Sequence, residues 1–114
     1  MITIYGIKNC DSVKKAIKYM KTNALPYTFV DFRETPITAA KIAHWITKTP
    51  IEKLFNTRGT NYRTLKLKEL NLDDAGKETW LVKENILLKR PVIEYNDKVI
   101  VAFNEEVYNK VFKV

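Results

Sequence analysis

The period of the hydrophobic pattern changes at residue 10 of this chain. Residues 2–6 form a short apolar run, mostly β-branched, that ends at Gly6 and predicts a buried strand. From Asp11 onward the apolar residues recur at the spacing of one helix face. This face consists of Val13, Ala16, Ile17 and Met20. The chain therefore begins with a strand, a turn and a helix, and its only cysteine, Cys10, lies at the junction.

Further strands and helices follow this first unit. Residues 27–32 predict a second strand, so the first three elements form a βαβ unit with parallel strands. Short apolar segments at helical spacing predict a helical region before Lys89. Residues 92–95 and 99–102 predict a hairpin across a three-residue turn, and Asn104 is expected to cap a last helix.

The position of Cys10 predicts a reactive thiol. A cysteine at the start of a helix faces unpaired backbone N–H groups and the positive end of the helix dipole, and both favour the thiolate. The alternative is that Cys10 is a small buried hydrophobic residue. A single cysteine excludes an internal disulfide, a structural zinc site and a two-cysteine redox cycle within one chain. We expect no metal site, because the lone His44 has no partner at ligand spacing.

The net charge of +7 favours an anionic partner. A small oxyanion, a peptide carboxylate, an acidic protein surface or a nucleic acid would each fit, and a merely solvated basic surface is the alternative. Direct nucleic-acid binding is the least favoured, because the basic residues are scattered and form no recognised motif. The chain has no signal-peptide pattern and no apolar run long enough for a membrane span, so we expect a cytoplasmic protein without a membrane partner.

Three segments, residues 5–16, 56–63 and 89–91, resemble the signature blocks of the arsenate reductase-like (ArsC) family, particularly its Spx/YffB branch. The resemblance spans nearly the whole chain. It implies an α/β, thioredoxin-like fold with a four-stranded mixed sheet. The whole chain, 1–114, would form a single domain with a helical insertion at about residues 36–88, between the βαβ unit and the ββα unit.

The resemblance also implies roles for individual residues. Cys10 matches the nucleophile of arsenate reductases, and Arg90 matches the arginine that precedes a proline. The other two arginines of that family fall at Asn56, with Arg58 two positions away, and at or near Phe103. Arg90 and Arg58 are therefore predicted to stabilise a thiolate or bind an anion.

The remaining site predictions concern the neighbours of the cysteine and the proline. Lys14 is a further candidate cation, and Asn9 and Ser12 are expected to line the site. The resemblance implies a cis peptide bond before Pro91, opposite the cysteine. Arg90 and Pro91 would then pair with the backbone of a peptide such as glutathione.

Three functions follow from the resemblance. The leading hypothesis is a glutathione-dependent monothiol oxidoreductase, in which a mixed disulfide on Cys10 is resolved by an external thiol. Glutathione would be a co-substrate, and no tightly bound cofactor is expected. The alternative is a non-catalytic regulator of the Spx type that binds RNA polymerase, although Val13 stands where such regulators often carry a second cysteine. The third is an arsenate reductase, which the altered arginine positions disfavour.

Overall fold

Four strands and six α-helices make up the computed structural model, which describes residues 1–114. Two compact units are formed, one by residues 1–35 with 90–114 and the other by residues 36–89. The first unit contains β1 (Ile2–Gly6), α1 (Asp11–Thr22), β2 (Tyr27–Asp31), β3 (Val92–Tyr95), β4 (Lys98–Val101) and α6 (Glu105–Phe112). The second contains α2 (Ala39–Lys48), α3 (Ile51–Leu54), α4 (Thr60–Thr64), α5 (Asp74–Lys83) and 3₁₀ turns at Leu67–Leu70 and Asn85–Leu87. None of these helices has both the length and the apolar character needed to cross a membrane.

The four strands form one mixed sheet in the order β2-β1-β3-β4. Strand β1 pairs in parallel with β2, and β3 pairs antiparallel with β4, as predicted for the βαβ unit and the hairpin. The antiparallel pair of β1 with β3 joins these two parts into one sheet. One row of apolar side chains crosses all four strands in register, because successive partners carry residues of the same face. The row consists of Phe29, Ile4, Ile93 and Ile100. The predicted α/β class with a four-stranded mixed sheet is confirmed.

Helices α1 and α6 pack against this row and form the core of the first unit. Three aromatic side chains hold the two helices together: Tyr19 of α1 meets Tyr108 of α6 edge to face at a centroid distance of 5.3 Å and Phe112 of α6 at 6.4 Å. The Tyr19 hydroxyl also donates a hydrogen bond of 2.7 Å to Asn109 Oδ1. Tyr19 lies outside the apolar stripe that the sequence predicts, so α1 buries a wider face than expected.

The hairpin differs by one residue from its prediction. Tyr95 pairs directly with Lys98, so the turn contains only Asn96 and Asp97. Both have positive φ angles, 46° and 66°, as a two-residue type I′ turn requires. Asparagine and aspartate tolerate this conformation better than most residues, which accounts for the shorter turn.

Every helix or turn of the second unit begins and ends within residues 36–89, and the unit has its own core. Thr38 and Asp73 cap α2 and α5 through side-chain oxygens that accept backbone N–H bonds of 3.1 and 2.8 Å. Trp45 of α2 is completely buried, whereas His44 is exposed. An isolated antiparallel bridge joins Phe55 to Leu88.

Helix α1 packs closely against Gly6 of β1, and substitution of Gly6 tests this packing. A Cβ at residue 6 would lie 2.6 Å from Val13 Cγ2, and the β-branched Val13 is fully buried. Gly6→Ala should therefore lower the free energy of unfolding by about 1–3 kcal/mol in urea denaturation. The double variant Gly6→Ala with Val13→Ala should lose less free energy of unfolding than the sum of the two single losses, because Val13→Ala removes the clash.

Gly76→Ala is the matched control for this packing. A Cβ there would approach Leu72 Cδ2 at 3.1 Å and the capping Asp73 Oδ1 at 3.2 Å. Both atoms are ends of side chains that can shift by a few tenths of an ångström, so the change in stability should stay within about 1 kcal/mol. Strict additivity of Gly6→Ala and Val13→Ala would contradict the close approach of β1 and α1.

Candidate functional site

Cys10 is the N-cap residue of α1. Its backbone is extended, with φ −118° and ψ 124°, and its carbonyl accepts the first helical hydrogen bond from Lys14 N at 3.0 Å. A serine or aspartate here would use its side chain to cap the first turn, but the half-buried thiol forms no such bond. The helix therefore begins without a side-chain cap, and the thiol lies beside the unpaired N–H groups of its first turn.

Strand pairing brings Arg90 and Pro91 to the same end of the sheet as Cys10. β1 runs towards Cys10 and β3 runs away from Pro91, and the antiparallel pair Tyr5–Val92 closes the ladder at that end. The Arg90–Pro91 peptide bond is cis, which confirms the prediction of its geometry. Pro91 is buried and Arg90 is half-buried, with its Nε atom inaccessible to solvent.

Ala102 completes this end of the sheet from the side of β4. Its N–H donates a 2.8 Å hydrogen bond to the Pro91 carbonyl, and its own carbonyl accepts a 2.8 Å bond from the Tyr108 hydroxyl. Ala102 adopts a left-handed conformation with φ 69°, in which these two bonds hold it. We call the region formed by Cys10, Arg90, Pro91 and Ala102 the thiol end of the sheet.

Tyr108 supports the thiol end from inside the core. Its ring is fully buried and packs against Phe103 at a centroid distance of 5.2 Å. Burial, and to a smaller extent Tyr19, raise the pKa of the Tyr108 phenol far above its usual value. The hydroxyl is therefore a neutral donor to Ala102. Sequence reasoning missed this residue, because a tyrosine at a core position of the last helix does not reveal which carbonyl it binds.

The other predicted site residues fall into two groups. Asn9, Ser12 and Lys14 lie next to Cys10 in sequence, with Asn9 and Lys14 exposed and Ser12 half-buried. Arg58 belongs to the second unit, where it is exposed and its N–H donates a 3.0 Å bond to Asn56 Oδ1. The structure thus brings together Cys10 and its neighbours with Arg90 and Pro91.

The site contains no cation at the Phe103 position and no metal-binding cluster. Phe103 is a half-buried aromatic residue that packs on Tyr108. No group of three or more histidine, cysteine, aspartate or glutamate side chains is arranged to hold a metal ion. The chemical groups at the thiol end are therefore one thiol, one guanidinium and backbone amides.

Comparison with known proteins identifies relatives along the whole chain. The sequence model of the ArsC family matches residues 5–111. An uncharacterised protein of Haemophilus influenzae is 34% identical over 113 residues, which cover 98% of this chain and 99% of that protein. A global transcriptional regulator of Lactococcus lactis, Spx 2, is 28% identical over 93% of this chain and 82% of its own length. A solved structure titled YFFB superposes with a TM-score of 0.90 at 27% identity, covering 96% of this chain and 97% of that one.

The position of Arg90 predicts a charge effect on the reactivity of Cys10. A guanidinium at the thiol end attracts an anionic reagent. Alkylation of Cys10 by anionic iodoacetate should therefore be faster, relative to alkylation by neutral iodoacetamide, than it would be without Arg90. Arg90→Gln should lower the ratio of the two alkylation rate constants by roughly fivefold, the equivalent of about 1 kcal/mol for two charges about 4 Å apart in water.

Arg33→Gln is the control for this measurement, because Arg33 is an exposed arginine of the same unit. Its ratio of rate constants should match that of the wild type. An equal fall in both variants would assign the effect to net charge alone, and no fall in Arg90→Gln would remove Arg90 from the site.

Proposed function

Since this chain belongs to the ArsC family, we propose that it is a one-cysteine thiol–disulfide oxidoreductase that uses glutathione. The observation that carries the proposal is the placement of Cys10 as an N-cap residue at the same end of the sheet as the cis Arg90–Pro91 bond. A helix start favours the thiolate, and the thiolate is the attacking species in disulfide exchange. A cytoplasmic location, where other thiols are kept reduced, fits this chemistry.

The proposed reaction has two exchange steps. In the first, the Cys10 thiolate attacks one sulfur of a substrate disulfide, a new S–S bond forms at Cys10, and the substrate bond breaks to release a thiolate that takes up a proton. In the second, the thiolate of an external thiol such as glutathione attacks the mixed disulfide. Cys10 leaves as a thiolate, and the external thiol forms a disulfide with the group that Cys10 carried. Because Cys10 is regenerated, the electrons gained by the substrate come from the external thiol.

The groups around Cys10 have distinct proposed roles. Arg90 stabilises the thiolate and binds a carboxylate of the incoming peptide, with Lys14 as a second cation. The backbone of Arg90 and Pro91 pairs with the peptide backbone, and Asn9 and Ser12 line the approach. All of these roles need only one thiol from the chain itself, which matches its single cysteine.

A second candidate function is a regulator that binds RNA polymerase without catalysis. The similarity to the transcriptional regulator Spx 2 over 93% of this chain favours it. The chain carries Val13 at the position of a second cysteine, so such a regulator would lack an internal disulfide switch.

Arsenate reduction is the least supported candidate. The family supplies the oxyanion-binding arginines at positions that correspond here to Asn56 and Phe103. Phe103 packs its ring on Tyr108, so it offers an oxyanion no charge. Turnover of arsenate in the presence of glutathione and glutaredoxin would reverse this ranking.

Mass spectrometry of the protein purified without added reductant tests the leading proposal. We expect one glutathionyl adduct on Cys10 and none on the Cys10→Ser variant. Incubation with oxidised glutathione should convert most of the protein to the adduct, and an excess of reduced glutathione should remove the adduct. A thiol that stays free after oxidised glutathione would contradict the proposal.

A pull-down from cell lysate separates the two main candidates. RNA polymerase retained equally by the wild type and by Cys10→Ala would favour the regulator, because that contact would not need the thiol. Cys10-dependent capture of thiol-containing proteins, released by reductant, would favour the oxidoreductase.

A further inference from the structure

An open groove of about 290 Å³ lies between α1 and α6 of the first unit. Its walls carry charge of both signs, and its floor is aromatic and polar. The lining residues used below are Lys15, Lys18, Tyr19, Phe103, Glu105 and Asn109. Since both helices begin at the thiol end of the sheet, the groove runs from Phe103, next to Ala102, along the length of α1.

Lys15 and Lys18 give the α1 wall of this groove a positive charge, on the exposed side of the helix. Four lysines of the helix are exposed, and none of them forms an ion pair. They are Lys14, Lys15, Lys18 and Lys21. The only acidic residue of α1 is Asp11, in its first turn. A basic helix wall without partners attracts a segment that carries several carboxylates.

Glu105 on the α6 wall decides which class of acidic ligand fits. It lies close enough to Tyr19 to contribute, after burial, to the raised pKa of that phenol. The exposed Glu105 carboxylate can accept hydrogen bonds from N–H donors of a ligand. A peptide backbone offers N–H donors at regular spacing, whereas the phosphate groups of a nucleic acid only accept hydrogen bonds and would be repelled.

The length of the groove sets the size of the segment. From Lys15 to Asn23 the helix advances about 12 Å, at about 1.5 Å per residue. An extended peptide covers this distance with about four residues, at roughly 3.3 Å each. The Phe103 ring offers one apolar contact at the end next to the thiol.

We infer that the groove between α1 and α6 binds a short acidic segment of a partner protein. The carboxylates of the segment meet Lys15 and Lys18, and its backbone N–H groups donate to Glu105. A segment bound in this way leaves the residues beyond Phe103 at the thiol end, where a cysteine of the partner can reach Cys10. Only this last step rests on the proposed function, since the docking itself needs no thiol chemistry.

Fluorescence anisotropy with a synthetic peptide tests the docking. The probe is a fluorescein-labelled hexapeptide of five glutamates and one phenylalanine, without cysteine, and the matched probe carries glutamines in place of the glutamates. We expect the acidic probe to bind the wild type and Cys10→Ser equally, and more weakly at high salt. Lys15→Glu combined with Lys18→Glu should weaken binding by at least about tenfold.

Two controls separate the groove from the overall charge. Lys110→Glu combined with Lys113→Glu makes the same change in charge on exposed lysines outside the groove lining, and should weaken binding by less than about threefold. Thr22→Trp fills the groove without changing its charge and should weaken binding as the Lys15 and Lys18 changes do.

Three results would overturn the inference. The first is an equal loss of affinity for the acidic probe in the Lys15/Lys18 and Lys110/Lys113 double variants. The second is no binding of the acidic probe at low salt. The third is binding of a single-stranded oligothymidylate to Lys15 and Lys18 that is tighter than binding of the acidic probe. Peptide binding without a glutathione adduct on Cys10 would overturn the oxidoreductase proposal and leave the docking site in place. A glutathione adduct on Cys10 without peptide binding would overturn the docking site and leave the oxidoreductase proposal in place.

Discussion

The antiparallel pairing of β1 with β3 is the interaction on which the candidate site depends. β1 comes from the start of the chain and β3 from beyond the whole 36–89 unit, so their ladder closes a very long loop. A shift of β3 by one residue against β1 would turn Ile93 away from Ile4 and from the core formed with α1 and α6. The apolar row therefore fixes the register, and the register fixes where Pro91 lies relative to the end of β1.

A hydrogen-bonded path connects this site to the aromatic core. The Tyr108 hydroxyl binds the Ala102 carbonyl, and the Ala102 N–H binds the Pro91 carbonyl. Ala102 is held in a left-handed backbone conformation that alanine rarely adopts, so both of its polar groups need fixed partners. The rigidity of the thiol end thus derives from α6 as well as from the sheet.

Local patterns in the sequence predicted the helices and strands better than they predicted the contacts between them. The change of period at residue 10 and the capping residue Asn104 act over a few residues, and the structure bears them out. The burial of Tyr19 was missed, because its hydroxyl binds Asn109 at the other end of the chain. The groove between α1 and α6 was likewise invisible, since its two walls are brought together only by the tertiary fold.

A solitary thiol at the start of α1 also determines how oxidation of this protein depends on its surroundings. Two cysteines within one chain react at a high effective concentration, so their disulfide forms almost independently of dilution. Any disulfide at Cys10 must instead join the chain to a second molecule. Its oxidised fraction therefore follows the concentration of that partner, and the chain responds in graded proportion to the surrounding thiol pool.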